Sequence, residues 1–290
     1  TTEAPLGEVG QIKYLPVALA QRIVTLRGKK GVLDNGYLLY LLQTEEMQSK
    51  LVGRASGTTV IGIKQSELRK VELRLPPLPE QRAIADTLGA LDDRIDNLRQ
   101  TNATLQAIAA GLFKSWFVDF DGVRPEDMQE SDLGLIPKGW RIGSLADLCE
   151  LNASKWTAKR HPPTVRYIDL SGVSSNRIET VSDFDFDEAP SRARLHLREG
   201  DTIIGTVRPG NRAFAYIHKP EANLTGSSGF AVLSPKEPHF SSFIYLAATR
   251  DEAIGRLANL ADGAAYPAVR PNVVADTPCV IASNDILAEF

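Results

Sequence analysis

Ten positions between residues 84 and 116 recur at alternating steps of four and three: Ile84, Leu88, Leu91, Ile95, Leu98, Asn102, Leu105, Ala109, Leu112 and Trp116. A repeat of 3.5 residues keeps one narrow stripe of side chains on one side of a helix, and a stripe held for more than four repeats is the pattern of a coiled coil. Pro76, Pro77 and Pro79 break the chain just before this stretch, and no proline follows between Glu80 and Val118. The spacing therefore predicts one helix over 80–118, about 58 Å long at 1.5 Å per residue. That is longer than a small domain is wide, so the helix must project or act as a spacer. Nine positions of the stripe are apolar and one, Asn102, is polar. A single polar residue at such a position costs stability but fixes register, so Asn102 is expected to face a polar group on a second helix. The expected pairing residues are Leu88, Leu91, Ile95, Leu98, Asn102, Leu105, Leu112 and Trp116. Residues 1–290 hold no second apolar repeat of that length, so the partner helix is expected from elsewhere.

The segments on either side of this helix resemble each other. Leu39-Tyr40-Leu41 with Thr44 matches Ile244-Tyr245-Leu246 with Thr249 at an offset of 205, and Ser56–Ile63 matches Asp262–Val269 at 206. Thr2 and Pro5 match Thr206 and Pro209 at 204. Nearly constant offsets in three blocks point to a duplicated module. Each copy reads as α+β. In the first, Gln21–Leu26 and Val60–Ile63 are strand candidates around a helix over 37–51. In the second, strands are expected at 165–170, 202–207, 213–217 and 230–233, followed by a helix over 242–260. On these offsets the first copy begins where the second is already at about Gly205, so it is expected to be half a module. Residues 283–290 read as the start of a second long helix.

Charge is segregated along the chain. The formal net charge is −3, which by itself disfavours a nucleic-acid binder. Yet residues 155–177 carry five basic side chains against one acidic, and residues 191–219 carry six against two. Residues 80–132 carry eleven acidic side chains against five basic. Positive charge thus collects in the second module, where phosphates could use it, and the acidic helix reads as a protein-docking surface. Two cysteines, Cys149 and Cys279, form no CxxC pair, and the four histidines are scattered. No metal site and no cofactor are expected, no apolar run is long enough to span a membrane, and a cytoplasmic location fits best. Neither a phosphate-binding GxxxxGK[ST] loop nor a dinucleotide fingerprint occurs.

PPLPEQRAIA at 76–85, the repeat-bearing helix, LFKSWFVDFDGVRP at 112–125 and GLIPKGW at 134–140 together resemble the DNA specificity (S) subunit of type I restriction–modification enzymes. The resemblance implies two target recognition domains, each reading half of an interrupted site in double-stranded DNA, held apart by two antiparallel helices. It further implies docking of methyltransferase (M) and restriction (R) subunits, and no catalytic activity of the chain's own. In these terms residues 1–75 are the C-terminal half of a first recognition domain and 76–120 the spacer helix. Residues 121–140 are a linker, 141–282 a second recognition domain and 283–290 the start of a second spacer helix. The fold class is then α+β, with two repeated recognition domains, the first incomplete, joined by a long coiled-coil helix.

The base-reading candidates sit in Gly/Pro-rich loops. Arg208, Asn211 and Arg212 lie in Arg-Pro-Gly-Asn-Arg; an arginine can donate twice to guanine and an asparagine can pair with adenine in the major groove. Thr225, Ser227 and Ser228 offer small hydroxyls for phosphates, and Tyr266 and Arg270 flank Pro267 in the repeated block. Lys155, Lys159 and Arg160 make a basic stretch around Trp156. In the first copy Arg22, Thr58, Thr59 and Lys64 are the weaker counterparts. The competing reading is an interaction scaffold without DNA specificity, whose free helix captures M subunits or a second copy of itself. A nuclease reading would rest on Asp183, Asp185, Asp187 and Glu188, but their alternation with Phe184 and Phe186 fits a solvated strand face better.

Overall fold

A computed structural model describes residues 1–3, 5–57 and 60–290, so the expectations placed on Thr58 and Thr59 lie outside the described residues. The chain divides into two compact units, Thr1–Thr104 and Leu105–Phe290, and the long helix runs through the division.

The first unit contains three short helices, α1 (Asn35–Gln43), α2 (Glu45–Gly53) and α3 (Gln65–Leu68), and most of α4 (Leu78–Lys114). The predicted helix over 37–51 is two helices. Thr44 ends the first in an extended conformation and caps the second, its hydroxyl accepting from Met47 N. Asp34 caps α1 by accepting from Gly36 N and Tyr37 N, the usual use of a short polar side chain at a helix start. Leu38, Leu42 and Met47 form a small core, with Val9, Leu33, Val71 and Leu73 against it. The predicted strand at Gln21–Leu26 is absent: Gln21 and Arg22 lie in a turn closed by Ile23 N to Ala20 O, and the residues after them join no ladder.

The expected long helix is present as 37 residues, about 55 Å. Between positions 91 and 112 its stripe lies open: Leu91, Ile95, Leu98, Leu105 and Leu112 are all about half exposed. At its end the chain widens into a π-turn over Ser115–Asp119. That turn sets Phe117 into the second unit's core, in contact with the rings of Phe113, Trp140, Phe243 and Phe290.

The second unit begins with β1 (Met128–Gln129) paired with β2 (Ile136–Pro137), then β3 (Arg141–Ser144), α5 (Leu145–Leu148) and β4 (Cys149–Leu151). There follow β5 (Thr164–Ile168), β6 (Val173–Ser174), β7 (Arg177–Ile178), β8 (Ser182–Asp185), β9 (Ala193–His196), β10 (Thr202–Gly205), β11 (Phe214–Tyr216), β12 (Leu224–Ser227) and β13 (Phe230–Pro235). The unit closes with α6 (Ser241–Thr249), α7 (Asp251–Asn259), α8 (Pro271–Ala275), β14 (Pro278–Ile281) and α9 (Asn284–Glu289). Two four-stranded sheets have the orders β11-β10-β13-β4 and β8-β5-β12-β9, and β14 pairs with β3. The first sheet is covered on both faces. Ile203, Ala215, Phe230 and Val232 point into a core shared with the second sheet, while Ile204, Phe214, Ala231 and Leu233 pack with the helices. Side chains alternate along a strand, so burial of both faces makes β10 and β13 read as continuous apolar runs.

The repeat is visible in the backbone. Helix pairs α1/α2 and α6/α7 share lengths and an extended break residue, Thr44 in one and Arg250 in the other, at an offset of 206. The small bridge Ser56–Gly62 has its counterpart in Asp262–Ala268, again at 206. Ile63 N donates to Thr2 O at 2.9 Å, and Val269 N to Thr206 O at 2.9 Å. Thr2 donates through both its backbone N and its hydroxyl to Arg22 O, as Thr206 does to Gly229 O. This geometry shifts the helix block by one residue from the 205 offset read in the sequence: buried Leu38 and Leu42 correspond to buried Ile244 and Ala248. It also aligns Ile23–Leu26 with Phe230–Leu233 of β13. There the strand partners are residues 202–205 and 149–151.

Candidate nucleic-acid interface

Three loops of the second unit are stitched together beyond the end of β10. Thr206 binds Gly229 of the β12–β13 turn, Val269 N donates to Thr206 O, and Arg208 N donates to Pro267 O at 2.6 Å. Val207 and Ala268 form a bridge. The β6–β7 hairpin joins them, Ser175 N donating to Arg212 O at 2.9 Å. Four non-glycine residues of this region, Ser175, Asn176, Arg208 and Arg212, have φ between 43° and 65°. Left-handed backbone is costly for a side chain larger than Asn, and such residues collect where a structure over-determines them. Arg208 and Arg212 flank a single 3-10 turn, Pro209–Asn211, which exposes Gly210 and Asn211.

The two arginines are not equivalent. Arg212 is held by Asp251 at 2.6 Å and lies over the ring of Phe214. Arg208 donates to Ala265 O at 2.7 Å and stacks on the ring of Tyr266, 4.6 Å from its centroid. Tyr266 itself is 70% exposed. Arg270 is exposed at the N-terminal end of α8, as Lys64 is at α3. Among the described residues Arg208, Arg270, Lys155, Lys159 and Arg160 make no ion pair.

Residues 155–160 lie on a separate turn fastened to β9 by Lys155–Leu195 and Trp156 N to Arg194 O. Trp156 is half-buried, stacked on His196 with ring centroids 4.2 Å apart, and its indole donates to Thr225 Oγ1 at 2.9 Å. Burial holds the His196 imidazole below its ordinary range, with Arg198 and Arg160 acting in the same direction. Arg22 of the first unit pairs with Glu3 at 3.1 Å.

The loop expected at Thr225–Gly229 is corrected in part. Thr225 and Ser227 belong to β12 and are 0% and 1% exposed, so their hydroxyls face inward; Ser228 alone is exposed. The sequence reading also missed Arg192. Its guanidinium reaches Tyr167 Oη at 3.1 Å and Asp169 at 2.8 Å, while Arg192 O accepts from Ser228 N. The half-exposed cation thus stands beside the one free hydroxyl of that turn. No sequence signal links residues 167, 169 and 192, which only the β5–β12–β9 order brings together. Burial pushes the Cys149 and Cys279 thiols up to about 12. Among the described residues no cluster of metal-ligating side chains occurs, and no helix is long and apolar enough to cross a membrane.

The chain thus carries a duplicated α+β module with a long helix in the sequence between its copies and cationic loops at one end of a sheet. Comparison with known proteins gives this architecture a context. Residues 1–107 match the family model described as the type I restriction modification DNA specificity domain. The type I restriction enzyme MjaIX specificity subunit of Methanocaldococcus jannaschii is 35% identical over 162 residues, 55% of this chain and 37% of that one. The MjaVIII specificity subunit of the same organism is 26% identical over 196 residues, 66% of this chain and 45% of that one. Among solved structures, a type I restriction–modification S subunit from M. genitalium superposes with a TM-score of 0.52 at 17% identity, covering 90% of this chain and 64% of that one; this last likeness is one of fold. The chain is thus similar to type I specificity subunits, and it spans less than half the length of the curated relatives it matches.

Proposed function

We propose that this chain is the DNA-recognition part of a type I restriction–modification complex, its second unit reading one half of an interrupted site and the loop around 57–64 of its first unit contributing to the other. The observation that carries the reading is the convergence of Arg208, Asn211, Tyr266 and Arg270 on loops tied to one another at one end of a sheet. The Asn211 amide and the Arg270 guanidinium on these loops suit base edges, Arg208 braces Tyr266, and the Lys155, Lys159 and Arg160 turn suits phosphates. Arg212, neutralised by Asp251, acts here as a strut for the loop. Helix α4 sets the distance between the half-sites and pairs through its apolar stripe with a second helix. The methyltransferase docks on this helix and on the acidic segment 119–132 that follows it, and restriction subunits join that assembly. The chain itself does no bond-breaking chemistry.

The exposed stripe at 91–112 favours one other reading, a scaffold that captures protein partners without reading DNA. Gel-shift competition on duplexes carrying randomised interrupted sites, with and without the methyltransferase subunit, separates the two. Recognition predicts one enriched bipartite sequence when the methyltransferase is present. Binding of the methyltransferase with no enriched sequence would favour the scaffold.

A further inference from the structure

The repeated loop differs between the two copies in one informative way. In both it is closed by the same bridge, Ser56–Gly62 or Asp262–Ala268, and turned by a glycine of positive φ, Gly57 at 131° or Gly263 at 116°. A Cβ would collide with Val60 O in the first copy and meet Tyr266 O at a tight 3.1 Å in the second. The frame is thus the same, but its tip is Val60 in one copy and Tyr266 in the other, both exposed. The two copies thus present different side chains on a shared frame.

The second tip is also braced. The Arg208 guanidinium covers one face of the Tyr266 ring at 4.6 Å and spends a donor on Ala265 O, which commits it to the loop. Arg208 N holds Pro267 O, and the left-handed backbone at Arg208 turns the side chain onto the loop. A cation over one ring face leaves the other face and the edge to solvent.

We propose that the loop 262–268 is a specificity-determining element, in which Tyr266 packs its free face against a base step of duplex DNA and Arg208 is the positioning residue that holds the ring out. The proposal rests on the reading that this end of the second unit meets DNA. Aromatic side chains stack on bases with little regard to their hydrogen-bonding edges, and a wedge at a step selects sequence through how easily that step unstacks. Tyr266 therefore selects one or two adjacent positions by deformability, favouring flexible pyrimidine–purine steps, rather than by hydrogen bonding.

The test is selection from a randomised duplex pool by the full chain with its methyltransferase subunit. The chains compared are wild type, Tyr266→Ala, Tyr266→Trp, Arg208→Ala and Arg208→Lys. Wild type enriches a motif. Tyr266→Ala weakens binding to that motif roughly ten- to a hundredfold and loses preference at one or two adjacent positions only. Tyr266→Trp keeps preference there, Arg208→Ala loses it at the same positions, and Arg208→Lys restores it by returning a cation to the ring. An unchanged motif with Tyr266→Ala overturns the proposal while leaving the recognition reading intact. No motif with wild type overturns both. If Arg208→Ala melts the second unit, the tyrosine variants alone decide, since Tyr266 is too exposed to hold the fold.

Discussion

The two copies of the module share helices, caps, a bridge and a loop frame, yet among the described residues the second carries two packed sheets and the first no strand ladder. In the second unit Ile244 and Ala248 are buried against a sheet that is itself covered on its far side. In the first, the equivalent Leu38 and Leu42 share a small core with extended chain, and Ile12, Leu19, Ile23 and Leu26 are exposed. What survives without the sheet is what each copy encodes locally: the Asp34 cap, the break at Thr44, the turn at Gly57. What is lost is the run 23–26, whose β character needs neighbours on both sides. A helix satisfies its own backbone, while a strand borrows its hydrogen bonds. The difference also makes the second unit the better place for a site that must be held rigid.

That contrast can be broken most directly at equivalent core positions. Ile244→Ala, at a fully buried site, is expected to cost about 2–5 kcal/mol; Leu38→Ala, in the smaller core, is expected to cost less than half of that. All three tryptophans (116, 140 and 156) lie in the second unit, so denaturant unfolding followed by tryptophan fluorescence should register the first change and miss the second. Similar fluorescence midpoints for both variants would mean that the units do not differ in this way.

Gln81 sharpens the comparison at the start of the long helix. Only 1% exposed, it accepts from Asp34 N at 3.0 Å and donates to Val32 O at 3.1 Å and Pro76 O at 2.8 Å. Its counterpart at 206 is Leu287, also 1% exposed. The first copy thus ties its helix to the α1 cap through polar bonds where the second uses an apolar contact. Gln81→Leu should destabilise the first unit by about 1–3 kcal/mol, because three backbone groups are left unpaired. Hydrogen exchange over residues 35–53 should speed up while tryptophan fluorescence stays unchanged.

Gly263→Ala should cost about 1–2 kcal/mol for its positive-φ backbone and also reduce sequence preference, and Gly57→Ala should cost more, because its Cβ would also collide with Val60 O. Thermal melting with duplex-binding assays checks the pair; a stabilised Gly263→Ala would remove the case for a strained frame. The smallest effect concerns His196. Its folded value lies below the ordinary 6.5, so the unfolded chain binds the proton more readily and stability rises with pH through the window below 6.5. Acidifying from about pH 7 to about pH 5.5 should lower the melting temperature of the second unit, and His196→Phe, which keeps the stack on Trp156, should lessen that dependence.

The long helix, the duplication and the exposed cations could be read from residues alone because each is a local or periodic property. The parts that could not be read depend on distant partners. Gly-Ser-Ser after Thr225 looks like a loop, but small residues are there because Gly226 lies under Leu197, leaving only 3.3 Å for any added carbon. Arg208 and Arg212 look alike in sequence, yet one is braced against Tyr266 and the other neutralised by Asp251, residues 58 and 39 positions away. The one-residue shift of the helix block shows the same thing on a small scale: Tyr40 and Tyr245 align by letter, whereas burial aligns Leu38 with Ile244.

The most direct test of the account is methylation mapping in cells that express the intact subunit with its methyltransferase, comparing wild type with a chain carrying Tyr266→Ala and Arg270→Ala. The account predicts a bipartite methylated site in which the double substitution relaxes one half and leaves the other half and the spacer length unchanged. Relaxation of both halves together, or an unaltered site, would contradict it.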